Sequence, residues 1–246
     1  MQSVFGLLIP FLGTSLGAAC VFFLKALHVT AEKVLLGFAA GVMTAASVWS
    51  LLLPAIESAA NWGHLSFFPA AAGFLLGFAL LLLLDHYLPE SFVSEPGRKR
   101  GMMALAITLH NIPEGMAVGA AFAGVLSGGV LPPAALALAA GVAIQNIPEG
   151  AIISMPLAGA GMKKGKAFTL GVASGAVEPL GAGVMLLLTG ILQPLLPYCL
   201  AFAAGAMLFV VAAQLLPGLS GRGASAGIAA FAGGFLLMMV LDVALG

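Results

Sequence analysis

The chain has 246 residues, of which 61% are hydrophobic and 7% are charged, and its formal net charge at pH 7 is zero. Soluble domains carry about 25% charged residues, so this composition excludes a soluble globular protein and indicates one that lies in a lipid bilayer. Because there is no excess of positive charge, there is also no reason to expect nucleic acid as a partner.

Apolar segments long enough to cross a membrane recur along the whole chain. A helix needs about 20 apolar residues to cross a hydrocarbon core of about 30 Å. We therefore predict an all-α, multi-pass membrane protein with a single transmembrane domain over residues 1–246. Thr30, which precedes the second predicted helix, is its predicted N-cap. The eight predicted transmembrane helices are residues 4–26, 34–57, 66–88, 101–124, 132–157, 167–190, 195–217 and 224–245.

The basic residues predict how the helices are oriented. In the eight-helix interpretation, all nine of them fall in the breaks after helices 1, 3, 5 and 7. By the positive-inside rule these breaks are cytoplasmic, so both termini are extracytoplasmic and the protein is expected in the cytoplasmic (inner) membrane of the cell. Seven or nine helices would divide the charges between both sides. The basic residues are Lys25, Lys33, Arg98, Lys99, Arg100, Lys163, Lys164, Lys166 and Arg222.

Three acidic residues lie near the middle of predicted helices, namely Glu114, Glu149 and Glu178. An ionised carboxylate at such a depth costs about 2.5 to 3.5 kcal/mol. No Lys or Arg lies at the same depth, so ion pairing cannot offset this cost. The carboxylates must therefore be protonated, reached by water or bound to a cation.

Two of these acids belong to a repeated motif, HNIPEG at 110–115 and QNIPEG at 145–150. Within each copy the polar residues are three or four positions apart and share one helix face. Consecutive spanning helices are antiparallel, so the copies predict an inverted repeat around helices 4 and 5, with a site at the membrane midplane, as in secondary transporters. The polar residues of the two copies are His110, Asn111, Glu114, Gln145, Asn146 and Glu149.

One imidazole, three carboxylates and three amides form a donor set that suits divalent ions such as zinc, iron, manganese and cadmium. These donors do not rank the four metals, and no organic cofactor is expected. A stripe on the second predicted helix adds a soft donor, because Met43, Ser50 and Glu57 are spaced at intervals of seven residues, from mid-membrane to the outer end.

In these motifs the chain resembles the ZIP (Zrt/Irt-like) family of divalent metal transporters, and most of all its bacterial GufA-type branch. The resemblance rests on HNIPEG in helix 4, QNIPEG in helix 5 and SGAVEP in helix 6. It implies one metal site and an adjacent second site, with Glu114 and Glu149 bridging the two. The first site would consist of Met43, His110, Glu114, Gln145 and Glu149, and the second would add Asn111, Asn146 and Glu178.

The resemblance also implies a transport path on either side of the metal sites. Ser50, Glu57 and Asp242 would mark the outer approach, and Asp85 and Glu90 would assist the exit. Family members are described as homodimers that move helices 1, 4, 5 and 6 against a scaffold of helices 2, 3, 7 and 8.

The predicted function is transport of divalent metal ions, zinc first among them, into the cytoplasm by alternating access. Two alternatives use the same residues. An intramembrane metalloenzyme fits His110 and Glu114 at i and i+4, although the chain has no H-E-x-x-H motif. A proton-coupled carrier of organic cations would use the acids but has no need of Met43 or the repeated amides.

Overall fold

The computed structural model describes residues 2–23, 28–87, 111–112, 114–126, 130, 132–159, 161–191 and 193–245, and in these ranges it contains helices and no strands. Short 3₁₀ helices at Ala60–Leu65 and Gln193–Leu195 precede the third and seventh long helices. We label the long helices α1 (Gln2–Phe23), α2 (Val29–Ser58), α3 (Phe67–Tyr87), α4 (Glu114–Leu126), α5 (Pro132–Gly159), α6 (Lys164–Gly175 and Val177–Ile191), α7 (Leu196–Gly218) and α8 (Ala224–Leu245).

Six of these helices, α1, α2, α5, α6, α7 and α8, are long and apolar enough to cross a membrane. The apolar stretches of the other two, Phe67–Leu83 in α3 and Glu114–Leu126 in α4, are shorter within the described residues. The prediction of an all-helical, multi-pass membrane protein is confirmed. That the chain crosses the membrane eight times stays a prediction.

The N-cap of α2 differs from the predicted one. Helix α2 begins at Val29, and His28 is the cap rather than Thr30. His28 has extended backbone angles (φ −73°, ψ 144°), and its Nδ1 accepts a hydrogen bond of 3.3 Å from the backbone N–H of Thr30. The imidazole therefore satisfies a free N–H of the first turn, as Ser or Asp does at most helix starts.

Two helices contain a π-helical turn immediately before a proline. In α2 it covers Ser47–Leu52 and in α7 it covers Val211–Leu215. The last residue of each turn is the first leucine of a Leu-Leu-Pro sequence. The backbone N–H of Leu53 donates to the carbonyl of Val48, and that of Leu216 donates to the carbonyl of Val211. Proline lacks an N–H, so the widened turn redirects the hydrogen bonds around it and changes the angle at which Ser50 projects from α2.

Glycines let pairs of helices approach until their backbones touch. A Cβ added to Gly17 of α1 would lie 1.9 Å from the carbonyl oxygen of Ile147 in α5. The same holds for Gly77 of α3 against Phe202 of α7, at 2.0 Å. Close approach of this kind stabilises helix pairs in lipid, where the hydrophobic effect does not drive association.

Two lysines from the predicted cytoplasmic breaks donate hydrogen bonds to carbonyls at the C-terminal ends of other helices. Lys164, at the start of α6, donates to the carbonyl of Phe22 at 3.2 Å, in the last turn of α1. Lys33 of α2 donates to the carbonyl of Gly218, the last residue of α7. Both ammonium groups satisfy carbonyls that a helix C-terminus leaves free and complement the negative end of the helix dipole.

Candidate metal site

A cluster of polar side chains is buried where α4, α5 and α6 pack together. Every member exposes 5% of its surface or less. In an apolar protein such groups are retained only when hydrogen bonds, ion pairs or a bound ion satisfy them. The cluster consists of Asn111, Glu114, Gln145, Asn146, Glu149 and Glu178, which are six of the eight residues predicted to form the metal sites.

The two copies of the motif contact each other directly. Nε2 of Gln145 in α5 donates to Oε1 of Glu114 in α4 at 2.5 Å. Asn111, one turn before Glu114, donates through Nδ2 to the carbonyl of Ser174 in α6 at 3.0 Å. Hydrogen bonds therefore link the two repeated segments with each other and with the SGAVEP segment.

Helix α1 also reaches the cluster, which the sequence reasoning missed. The Thr14 hydroxyl donates to Oε1 of Glu178 at 2.6 Å, and Nδ2 of Asn146 donates to the Pro10 carbonyl at 3.4 Å. A hydroxyl within an apolar segment was the only signal for Thr14, and serines and threonines in helices usually bond to their own backbone.

Seven buried oxygens of the cluster have no hydrogen-bond donor in the part of the chain that the structure describes. The amide nitrogens are used in contacts with protein, which leaves oxygens for a further partner. Glu114 lies near both Glu149 and Glu178, so three carboxyl groups are close together. Acceptors without donors suit a cation. The seven are Oδ1 of Asn111, Oε2 of Glu114, Oε1 of Gln145, Oδ1 of Asn146, both carboxylate oxygens of Glu149 and Oε2 of Glu178.

The acids alone do not form a complete metal site. Among the described residues, no three His, Cys, Asp or Glu side chains are arranged to hold a metal ion together. Amide oxygens, a thioether or His110 would have to complete a coordination shell. His110 lies outside the described residues. Met43 is fully buried on α2, and α2 packs against α5.

The three residues predicted to mark the outer approach line one cavity of about 310 Å³. Oγ of Ser50 in α2 donates to Oδ1 of Asp242 in α8 at 2.5 Å, and Oδ2 of Asp242 is buried without a donor from the described residues. Burial increases along α2 from the exposed Glu57, through the half-buried Ser50, to the fully buried Met43. The cavity thus lies beside the part of α2 that carries Ser50 and Glu57.

The predicted exit is described only in part. Asp85 is exposed in the last turn of α3, and Glu90 lies outside the described residues.

Buried carboxylate and amide oxygens in a helical membrane protein indicate the class of membrane proteins that handle cations. Comparison with known proteins agrees with this class. The sequence model of the family described as "ZIP Zinc transporter" matches residues 98–242. The chain belongs to the ZIP family, as its motifs predicted.

Relatives from animals and bacteria match over most of their length. Zinc transporter ZIP11 of Xenopus tropicalis is 36% identical over 100% of this chain and 98% of its own. Zinc transporter ZIPB of Bordetella bronchiseptica is 37% identical over 96% of this chain and 79% of its own. Zinc transporter GufA of Myxococcus xanthus is 34% identical over 95% of this chain and 94% of its own, which confirms the predicted GufA-type resemblance. The family consists of transporters, so the prediction that the chain is not an enzyme is confirmed.

Proposed function

We propose that this chain carries zinc across the cytoplasmic membrane into the cytoplasm, through the buried cluster of α4, α5 and α6. The observation that carries the proposal is the set of seven buried oxygens to which no group among the described residues donates, on the two motif copies and on Glu178. The names of the relatives support zinc as the substrate. The same donors suit cadmium, iron and manganese. An organic cofactor has no part in the proposal.

We assign the ligands to two adjacent sites that share Glu114 and Glu149. Glu149 supports the bridging role, because both of its carboxylate oxygens are buried without a donor from the described residues. Carboxylate, amide and thioether ligands hold zinc more weakly than a set of thiolates does, and a transported ion must be released again. The first site is Met43, His110, Glu114, Gln145 and Glu149, and the second is Asn111, Glu114, Asn146, Glu149 and Glu178.

Alternating access is supported by where helix backbones touch. Among the described glycines, contacts of an added Cβ with a backbone oxygen within 2.8 Å join α1 with α5, α4 with α6, α2 with α8, and α3 with α7. Between α5 and α8 the corresponding contact is different, because Gly141 meets the flexible side chain of Met238. This pattern supports movement of helices 1, 4, 5 and 6 as a bundle against helices 2, 3, 7 and 8, since these backbone contacts lie within the two groups.

The eight-span topology and the inverted repeat are part of the same proposal. The direct contact between the NIPEG copies supports pairing of α4 with α5. The π-helical turn next to Leu-Leu-Pro in both α2 and α7 supports a second related pair. With eight spans the basic breaks are cytoplasmic and both termini extracytoplasmic. We further propose one domain over residues 1–246, a bilayer environment and assembly as a homodimer.

Zinc is expected to raise the melting temperature of the purified protein after chelator treatment. A ligand that binds only the folded state adds about 2.7 kcal/mol to the free energy of unfolding when its free concentration is about 100 times its Kd. Melting in detergent with graded zinc, cadmium, manganese and an organic ammonium ion tests this result. Stabilisation by the organic cation but by none of the metals would overturn zinc as the substrate and favour a cation carrier.

Replacing Asp242 by Asn is expected to slow zinc uptake several-fold at low ionic strength and subsaturating zinc. A carboxylate that lines the cavity raises the local cation concentration, and its field reaches about 30 Å at 0.01 M salt but about 3 Å at 1 M. Initial uptake rates across this range of salt are the measurement. The control is Glu32→Gln, which also removes one negative charge but from the first turn of α2 and not from the cavity. A deficit that does not shrink as salt is added would contradict electrostatic attraction of the cation by Asp242.

A further inference from the structure

Thr14 of α1 is fully buried against the cluster, and its hydroxyl contacts a proposed metal ligand. The hydrogen bond of 2.6 Å to Oε1 of Glu178 joins residues that are 164 positions apart in the chain. Nothing in the two-site assignment gives α1 a role. The Thr14 hydroxyl thus joins α1 to a proposed ligand on α6.

Six Ser and Thr hydroxyls in the described helices bond to the carbonyl four positions earlier, a common use of these residues in apolar helices. The carbonyl that Thr14 would use in this way is that of Pro10, which instead accepts from Nδ2 of Asn146. Thr14 thus gives up the local bond for one to another helix. The hydroxyls that bond to the carbonyl four positions earlier are those of Ser15, Thr44, Ser47, Ser58, Ser154 and Thr169.

Two glycines hold Thr14 in a narrow slot beside the cluster. A Cβ on Gly175 of α6 would lie 2.8 Å from the Cβ of Thr14 and 3.0 Å from its hydroxyl oxygen. A Cβ on Gly150 of α5 would lie 2.1 Å from its carbonyl oxygen. Gly150 directly follows Glu149, and Gly175 is three residues before Glu178. Packing on both sides therefore restricts where the hydroxyl can point.

We infer that Thr14 is a positioning residue that makes Glu178 a one-oxygen metal ligand, an inference that rests on the proposed function. The hydroxyl engages Oε1 and leaves Oε2, which is buried without a donor from the described residues, as the oxygen for the metal. Without the hydroxyl the carboxylate is free to rotate and to bind through both oxygens. Loss of such an outer partner typically costs about 10- to 100-fold in metal affinity or activity.

The test compares three variants of the full chain in proteoliposomes. Thr14→Val keeps the branched shape and removes the hydroxyl, Thr14→Ser keeps the hydroxyl, and Ser15→Ala removes a neighbouring hydroxyl that bonds to the carbonyl of Phe11 in its own helix. The readouts are the KM and maximal rate of zinc uptake and the Kd of zinc for the purified protein. Thr14→Val is expected to weaken zinc binding and raise KM by about tenfold, whereas Thr14→Ser and Ser15→Ala remain close to the wild type.

A double substitution separates positioning from packing. If Thr14 acts through Glu178, Thr14→Val should change the zinc affinity of a Glu178→Gln protein by less than about twofold. Wild-type KM and Kd in Thr14→Val, or equal impairment of Thr14→Val and Thr14→Ser, would overturn the inference and leave the proposed function intact. Failure of the wild-type chain to bind and carry zinc would overturn both.

Discussion

Glu114→Ala is expected to reduce zinc uptake to about the background level. The loss should exceed the 10- to 100-fold that is typical when only an outer partner of a metal ligand is removed. Glu114 is fully buried, touches the second motif copy through Gln145 and is proposed to bridge both sites. His110→Ala is expected to have the same effect, because its imidazole is the one nitrogen ligand of the proposed first site. Zinc uptake into sealed vesicles is the measurement.

Both variants should still be present in the membrane, since alanine removes a carboxylate or imidazole that is costly to bury. Glu32→Ala removes a carboxylate from the first turn of α2 and is the control for charge loss. Uptake at the wild-type rate by either variant would refute the site assignment. Loss of uptake together with loss of membrane protein would instead indicate a structural role.

Gly234→Leu is expected to disrupt the packing of α8 against α2, whereas Gly233→Leu is tolerated. A Cβ on Gly234 would lie 2.2 Å from the carbonyl oxygen of Phe38, but a Cβ on Gly233 meets nothing within 4 Å. Overpacking usually costs about 1–3 kcal/mol, and a leucine against backbone should reach the upper end or exceed it. At the open position leucine gains helix propensity, by up to about 1 kcal/mol relative to glycine.

Melting temperature and the monodisperse fraction after detergent extraction are the measurements for this pair. The two substitutions are chemically identical and adjacent, so expression and hydrophobicity are matched. Equal losses in both variants would show that the α2–α8 contact is not specific. Equal tolerance would show that α2 and α8 can separate at this point without cost.

The positions of the helices follow largely from apolar length. Predicted helix 8 (224–245) coincides with Ala224–Leu245, and predicted helix 7 (195–217) differs by one residue from Leu196–Gly218. The start of α2 at Val29, five residues before the predicted 34, has a clear cause. Glu32 and Lys33 end an apolar segment but not a helix, because the Lys33 ammonium group reaches the end of α7.

The polar cluster could be predicted because a carboxylate in the middle of a membrane is costly and therefore indicates a functional site. The repeated motif then indicated which amides accompany the acids. The partners of these groups were not predictable, because the Thr14–Glu178 bond depends on how α1 packs against α6. The π-helical turns were missed too, since hydropathy reports how apolar a segment is and not how its hydrogen bonds run. His110, the proposed ligand that distinguishes the two motif copies, lies outside the described residues.

The location of bound zinc tests the central proposal most directly. Crystals of the zinc-loaded protein, measured at the zinc absorption edge, should give an anomalous peak between α4 and α5. Zinc binds carboxylate oxygen at about 2.0–2.2 Å, so the peak is expected at this distance from both Glu114 and Glu149. A zinc peak only elsewhere, with no density between these two carboxylates, would contradict the proposed site.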